Sequence, residues 1–151
     1  MKVYRITKCR FINDLSGTGA SLYGGRWHSK GDYVLYTAAS ASLAMLESIA
    51  HMTSVVSLKM CIICLQLPDA PIKEIRVEDL PASWVINPPP DELKVFGDNF
   101  LQEGKYLALK VPSVLMPEES NYILNPAHKS FSRIAIVYTR NISFDERLLK
   151  R

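Results

Sequence analysis

The chain has 151 residues, 48% of them apolar, with a formal charge of +3 and a pI near 8.8. That is enough for one ordinary domain with a real core, so we expect a single domain over residues 1–151 that needs neither metal nor disulfide framework to fold. The mild basicity and the lack of any long basic run argue against a dedicated nucleic-acid surface. No apolar stretch approaches the roughly 18–20 residues of a spanning helix, and Lys2, Arg5, Lys8 and Arg10 interrupt the N-terminus too often for a secretory leader. These features lead us to expect a soluble, cytoplasmic protein.

In chain order, β-branched and aromatic residues predict strands at Val3 to Ile6, Tyr33 to Thr37, Val55 to Leu67, Tyr106 to Val111 and Ile134 to Thr139. Between the first two lies the segment Gly17 to Gly31, which holds five of the chain's seven glycines. We read it as too glycine-rich for a regular element and as a place where another group comes close to the backbone. One clear helix follows, capped by Ser40 or Ser42 and running to His51 or Met52, with Leu43, Leu46 and Ala50 as its apolar stripe. Proline then punctuates Pro68 to Phe100, so turns and extended pieces are expected, tacked down by Trp84 and Phe96. Leu93 and Phe96 are spaced for a short helical turn, and Phe144 to Leu148 reads as a closing strand or helix. Strands and helices do not alternate regularly. The fold class is therefore α+β with a mainly antiparallel sheet and few helices.

The three cysteines, Cys9, Cys61 and Cys64, are read as reduced core residues. Cys61 and Cys64 have the spacing of a redox or zinc pair, but in a strand residues three apart point to opposite faces. His28, His51 and His128 lack the paired helical spacing of a metal site, so no metal is expected.

Arg26 sits in the glycine segment, where a planar guanidinium suits a phosphate or carboxylate; the bland alternative is a surface arginine on a hairpin. The segment matches neither the dinucleotide fingerprint, which would need glycine at Leu22, nor the phosphate-binding loop that ends in Lys-Ser/Thr. Glu47 falls on the border of the helix stripe, where an ionised carboxylate must be paired, used or in reach of water. Tyr36 precedes the helix as a core tyrosine or a hydroxyl for a ligand. Ser113, just after Pro112, reads as a turn cap or a ligand contact, and no nucleophile-elbow motif makes it a hydrolase serine.

Taken in order, Gly24-Gly25-Arg26-Trp27-His28-Ser29-Lys30-Gly31, Tyr36, Leu43-Ala44-Met45-Leu46-Glu47 with His51, Val111-Pro112-Ser113, Asn121-Tyr122 and Asn125-Pro126-Ala127-His128 resemble the RES-domain family over nearly the whole chain. Two departures are visible, His28 in place of an expected Asn and Phe100 in place of Trp. The resemblance implies an ADP-ribosyltransferase-like fold and a toxin of a toxin–antitoxin pair that consumes NAD as substrate, with no bound cofactor. It implies that Glu47 stabilises the developing ribose cation, that Arg26 holds the diphosphate, and that Tyr36 contacts the nicotinamide ribose. Ser113 and Asn121 would orient the ribose or the amide, and Trp27 would help bind NAD. Water, phosphate or a protein side chain could each be the acceptor. The implied partner is an antitoxin with a helix-turn-helix (Xre-like) domain, in a hetero-oligomer or beside a toxin homodimer, with no direct nucleic-acid contact. A binding or interaction domain without turnover is the rival class.

Overall fold

A computed structural model describes residues 1–52 and 59–150. Seven strands form one sheet: β1 (Lys2–Lys8), β2 (Leu35–Ala38), β3 (Met60–Gln66), β4 (Ile72–Glu74), β5 (Ala108–Pro112), β6 (Ser120–Leu124) and β7 (Ala135–Ile142). Their order is β4-β5-β6-β2-β1-β3-β7, and every neighbouring pair is antiparallel except β4 with β5. The α+β, mainly antiparallel reading therefore holds. All five predicted strands are present, although the Val55 to Leu58 part of the third lies outside the described residues. The short β4 and β6 were not anticipated. β6, Ser120-Asn121-Tyr122-Ile123-Leu124, carries two polar residues at its start, which mask a strand whose other three positions are buried.

Each face of the sheet is covered differently, because alternate residues point to opposite sides. On the back, Val3, Leu35, Ile63, Leu65, Ala108 and Leu124 form one apolar cluster, closed over by Ile12, Leu15, Phe131 and Ile134. On the front, Leu109, Val111 and Ile123 pack against Trp27, Trp84, Leu93 and Phe100. A smaller front cluster joins Ala38 to Leu43 and Ala44, with Tyr4 and Ile6 beside it.

Among the described residues four α-helices accompany the sheet: α1 (Thr18–Tyr23), α2 (Ala41–His51), α3 (Lys94–Glu103) and α4 (Glu146–Leu149). α1 corrects our reading of the glycine segment as irregular throughout. Glycine at Gly17 and Gly24 bounds this short helix at left-handed φ, +78° and +70°, so the residues mark its ends rather than prevent it. α2 starts where expected: the Ser40 hydroxyl accepts the Leu43 N–H at 3.1 Å. Its buried face differs from the predicted stripe, for Leu43 and Ala44 are buried whereas Leu46 is 39% exposed and Ala50 is exposed. The helix thus turns its Ala44–Ser48 side inward, and Glu47 and Ser48 come partly under cover. α3 extends the anticipated short turn at Leu93 and Phe96 into ten residues.

The cysteine reading needs a correction. Cys9 and Cys61 are joined by a disulfide, with Cα atoms 4.8 Å apart, while Cys64 is free and buried. The cause is register. β1 and β3 pair with Thr7 opposite Cys61, and the chain then turns so that the Cys9 N–H donates to the Lys59 carbonyl. A partner 52 positions away leaves no trace in local spacing. Cys64 lies on the other face beside Tyr4, as the strand alternation requires.

Candidate active site

Glu47 lies midway along α2, which rests on the front of β1 and β2. Ser40 fixes that helix at its start, since its hydroxyl also donates to Glu119 Oε2 at 2.9 Å, on the turn joining β5 to β6. β5 and β6 pair with Val111 opposite Asn121, and β6 pairs with β2 so that Asn121 faces Ala38. Those registers deliver two donors to one carboxylate oxygen. The Ser113 hydroxyl donates to Glu47 Oε1 at 2.8 Å, and the Asn121 amide donates to the same oxygen at 2.7 Å. Neither bond uses Oε2.

Ser113 is 0% exposed. Its oxygen also accepts the N–H groups of Leu115 and Met116 at 3.1 and 3.2 Å, so donation to Glu47 uses the proton it has left. This arrangement makes Ser113 a post that orients Glu47 from behind. The expectation that Ser113 touches ribose or amide directly does not match so enclosed a position.

Arg26 approaches from the glycine segment. Its Nη1 donates to the carbonyls of Trp84 at 2.6 Å and Ile86 at 3.1 Å, tying this segment to the proline-rich one. Burial lowers the Arg26 pKa, while the charges of Glu47 and Tyr36 act in the opposite direction, so all three share one electrostatic neighbourhood. A guanidinium stays protonated under either influence. The Nε–H and the Nη2 hydrogens are not spent on these two carbonyls.

Tyr36 reaches toward His28, with its oxygen 2.8 Å from Nδ1. Burial pushes its pKa well above the ordinary phenol range, against the opposing effects of the Trp27 backbone and Arg26. Trp27 itself is 3% exposed and meets Phe96 edge-on at 6.3 Å between ring centroids. Its side chain is a core plank beneath the site rather than an open surface for stacking. Gly97 on α3 permits this contact, because a Cβ there would lie 1.7 Å from the Trp27 carbonyl oxygen.

Beside Tyr36 a cavity of about 440 Å³ opens where β1 and β2 part. These strands register at only one pair, Tyr4 with Ala38, whereas β1 and β3 register at seven. Arg5 and Thr7 of β1, Val34 and Leu35 at β2, and Gly17 to Ala20 are among the residues that line it. Half-buried Arg5 gives Nη1 to the Asp14 carbonyl at 3.2 Å and to the Phe11 carbonyl at 3.4 Å. Arg5 lines this cavity from the same side of β1 as Val3, and sequence reasoning did not single it out. Its one visible signal was a charged residue at a strand position whose neighbours Val3 and Ile63 are core.

Among the described residues no cluster of His, Cys, Asp and Glu could hold a metal ion, and no helix is long and apolar enough to cross a membrane. The geometry defines a class: a mixed α+β domain with a carboxylate held on one oxygen, an arginine in the same electrostatic neighbourhood and a cavity between diverging strands. The chain belongs to the RES domain family, whose model matches residues 2–145. It is 37% identical to a Yersinia enterocolitica protein named Toxin Res, over 98% of this chain and 99% of that one. It is 34% identical to a Sphingobium protein named Prs ADP-ribosylating toxin, over 92% and 89% of the two chains. The fold is similar to a chain of the M. tuberculosis MbcT–MbcA toxin–antitoxin complex, with a TM-score of 0.75 at 16% identity, covering 94% of this chain and 84% of that one.

Proposed function

We propose that this protein is the toxin of a toxin–antitoxin pair and that it breaks the bond between nicotinamide and ribose in NAD. The observation that carries the chemistry is the clamp on Glu47. Two donors hold Oε1 and fix the carboxylate plane, which leaves Oε2 outside both bonds to meet a substrate. As the C1′–N bond lengthens, its electron pair leaves with neutral nicotinamide and positive charge builds on the ribose ring. A fixed carboxylate stabilises that charge without having to reorganise. Oε2 also accepts a hydrogen bond from a ribose hydroxyl. Water adding to C1′ and releasing a proton gives ADP-ribose; phosphate would give its 1-phosphate.

Arg26 supplies positive charge for the diphosphate from beside Glu47, while Arg5 lines the cavity at the β1–β2 opening. Tyr36 stands where the two regions meet and contacts the ribose or the amide, and Asn121 holds Glu47 from the β6 side. NAD is a substrate in this scheme, and no resident cofactor or metal takes part. A second reading, transfer of ADP-ribose to a protein, is favoured by the name of the Sphingobium relative; it uses the same activated ribose. For the partner, the MbcT–MbcA complex supports an antitoxin, and the helix-turn-helix type is what the family resemblance implies.

The test is nicotinamide release from NAD by the purified protein, with and without phosphate, beside Glu47→Gln. That substitution keeps an oxygen for Ser113 and Asn121 but removes the charge. Turnover should fall about 100- to 1000-fold, as when a transition-state stabiliser is lost, with the melting temperature nearly unchanged. Equal turnover in Glu47→Gln would remove Glu47 from the chemistry. Release that appears only when a target protein is added would favour the transferase reading.

A further inference from the structure

We propose that His28 is a positioning residue that sets the direction of the Tyr36 hydroxyl, so that Tyr36 meets its ligand as a hydrogen-bond acceptor. The argument starts at the far side of the imidazole. His28 Nε2 lies 2.9 Å from the Ala20 carbonyl oxygen, which can only accept, so Nε2 carries a proton. In a neutral imidazole Nδ1 is then bare. The Tyr36 oxygen sits 2.8 Å from Nδ1, so the tyrosine O–H donates inward to the ring. The Trp27 backbone also bonds to this oxygen, so the lone-pair direction that remains is what Tyr36 offers a ligand.

The packing around the pair leaves little freedom. His28 is 1% exposed. A Cβ on Gly25 would fall 2.8 Å from the Tyr36 oxygen and 3.0 Å from the imidazole Cε1, so this glycine is the lid that lets the pair fit. Ala20, in α1, and Tyr36, in β2, both line the β1–β2 cavity. His28 thus spans from α1 to β2 behind the cavity wall and ties the orientation of the hydroxyl to the position of α1. The ligand group facing Tyr36 must bring its own hydrogen, a hydroxyl or an amide N–H. This inference rests on the reading of Tyr36 as an NAD contact, whereas the tautomer of His28 does not.

Two measurements separate these layers. The first is nitrogen-15 NMR of the histidine ring nitrogens in the full-length protein near neutral pH, with the His28 signals assigned from their loss in His28→Gln. The expected pattern is a protonated Nε2 and a bare Nδ1; a protonated Nδ1 overturns the proposal whatever the enzyme does. The second compares two substitutions that each retain one bond. In His28→Asn the amide oxygen stands as far along the side chain as Nδ1 and can still accept from Tyr36. In His28→Gln the amide nitrogen stands where Nε2 was and can still donate to Ala20.

His28→Asn should therefore keep the larger share of kcat, ahead of His28→Gln by about three- to tenfold, the range of a single hydrogen bond. In the Tyr36→Phe background that difference should vanish. Equal loss in both variants, or a difference that persists without the tyrosine hydroxyl, assigns His28 to packing alone and overturns the proposal. If the wild type releases no nicotinamide, the functional reading fails and the NMR pattern still decides the tautomer.

Discussion

The two faces of the sheet are built from the same strands and do different work. On the back, Val3, Leu35, Ile63, Leu65 and Leu124 meet other apolar groups, and burial itself supplies the stabilisation. The front buries polar atoms with the apolar ones: Tyr36 packs against the cluster of Trp27, Trp84 and Phe100, His28 bonds to that tyrosine, and Ser113 and part of Glu47 are covered on the same side. Each such atom loses water, so each must find a partner. Among the described residues no buried side-chain nitrogen or oxygen is left without one. The back face is mostly apolar and exacting chiefly in volume, with the Thr37 hydroxyl bonded to the Tyr122 carbonyl and the Cys9–Cys61 disulfide as its exceptions. The front face is exacting in both.

This contrast is broken most strongly by a cavity on the back. Leu65 is fully buried near the end of β3, and Leu65→Ala should cost about 2–5 kcal/mol in folding free energy. Its cross-strand partners are Val3 and Ile136, neither of them in the candidate site, so turnover per folded molecule should hold. Chemical denaturation with activity measured well below the midpoint checks this. A large loss of turnover in the folded protein would mean that the two faces are mechanically coupled.

Gly97→Ala probes the front in the opposite way, by overfilling. Its added methyl meets the Trp27 carbonyl, a backbone atom that cannot swing aside. Overpacking of this kind costs about 1–3 kcal/mol. Because Trp27 is followed directly by His28, the same push displaces the His28–Tyr36 pair, and activity should fall with stability. Unchanged activity at reduced stability would show that α3 supports the core without locating the site.

The same contrast explains what can be read from the sequence. Local patterns are legible: the Ser40 cap, α2 and the placement of Glu47 at the edge of its apolar face follow from spacing within one helix. Arg26, Glu47 and Ser113 stand out individually in distant parts of the chain, and only the registers of β5, β6 and β2 bring Ser113 and Asn121 to one oxygen of Glu47. Nothing local announces a pairing 66 or 74 positions away. Arg5 and the Cys9–Cys61 bond escape sequence reasoning for the same reason, because each depends on how β1 lies against distant chain. Trp27 is an expected ligand contact through the family resemblance, and burial rules out an open stacking face. Residues 26–28 form a bend closed by the Gly25 N–H on the His28 carbonyl, and there Trp27 goes into the core while Arg26 stays at its edge.

The smallest effect concerns the loop that carries His28. The Ser29 N–H donates to Asp98 Oδ1 at 2.8 Å and its hydroxyl to Oδ2, which pins the glycine segment to α3. Asp32 lies against the same carboxylate. Its pKa is raised, first by burial and then by the hydrogen bond and negative charge of Asp98, with His28 acting the other way. A raised carboxyl pKa means that the folded state holds this proton more tightly than the unfolded chain does. Its contribution is present at acid pH, declines as pH rises from the ordinary carboxylate value through the raised one, and is absent at neutrality, where the two carboxylates oppose each other. Asp32→Asn keeps a donor for Asp98 without the second charge, so it should raise the melting temperature at neutral pH and flatten its dependence across the weakly acidic range. The gain should stay within roughly the 1 kcal/mol of partly exposed charge pairs. A lower melting temperature at neutral pH in Asp32→Asn would show that ionised Asp32 has a favourable partner that outweighs Asp98, and the loop's attachment would then rest on that partner rather than on Ser29 and Asp98 alone.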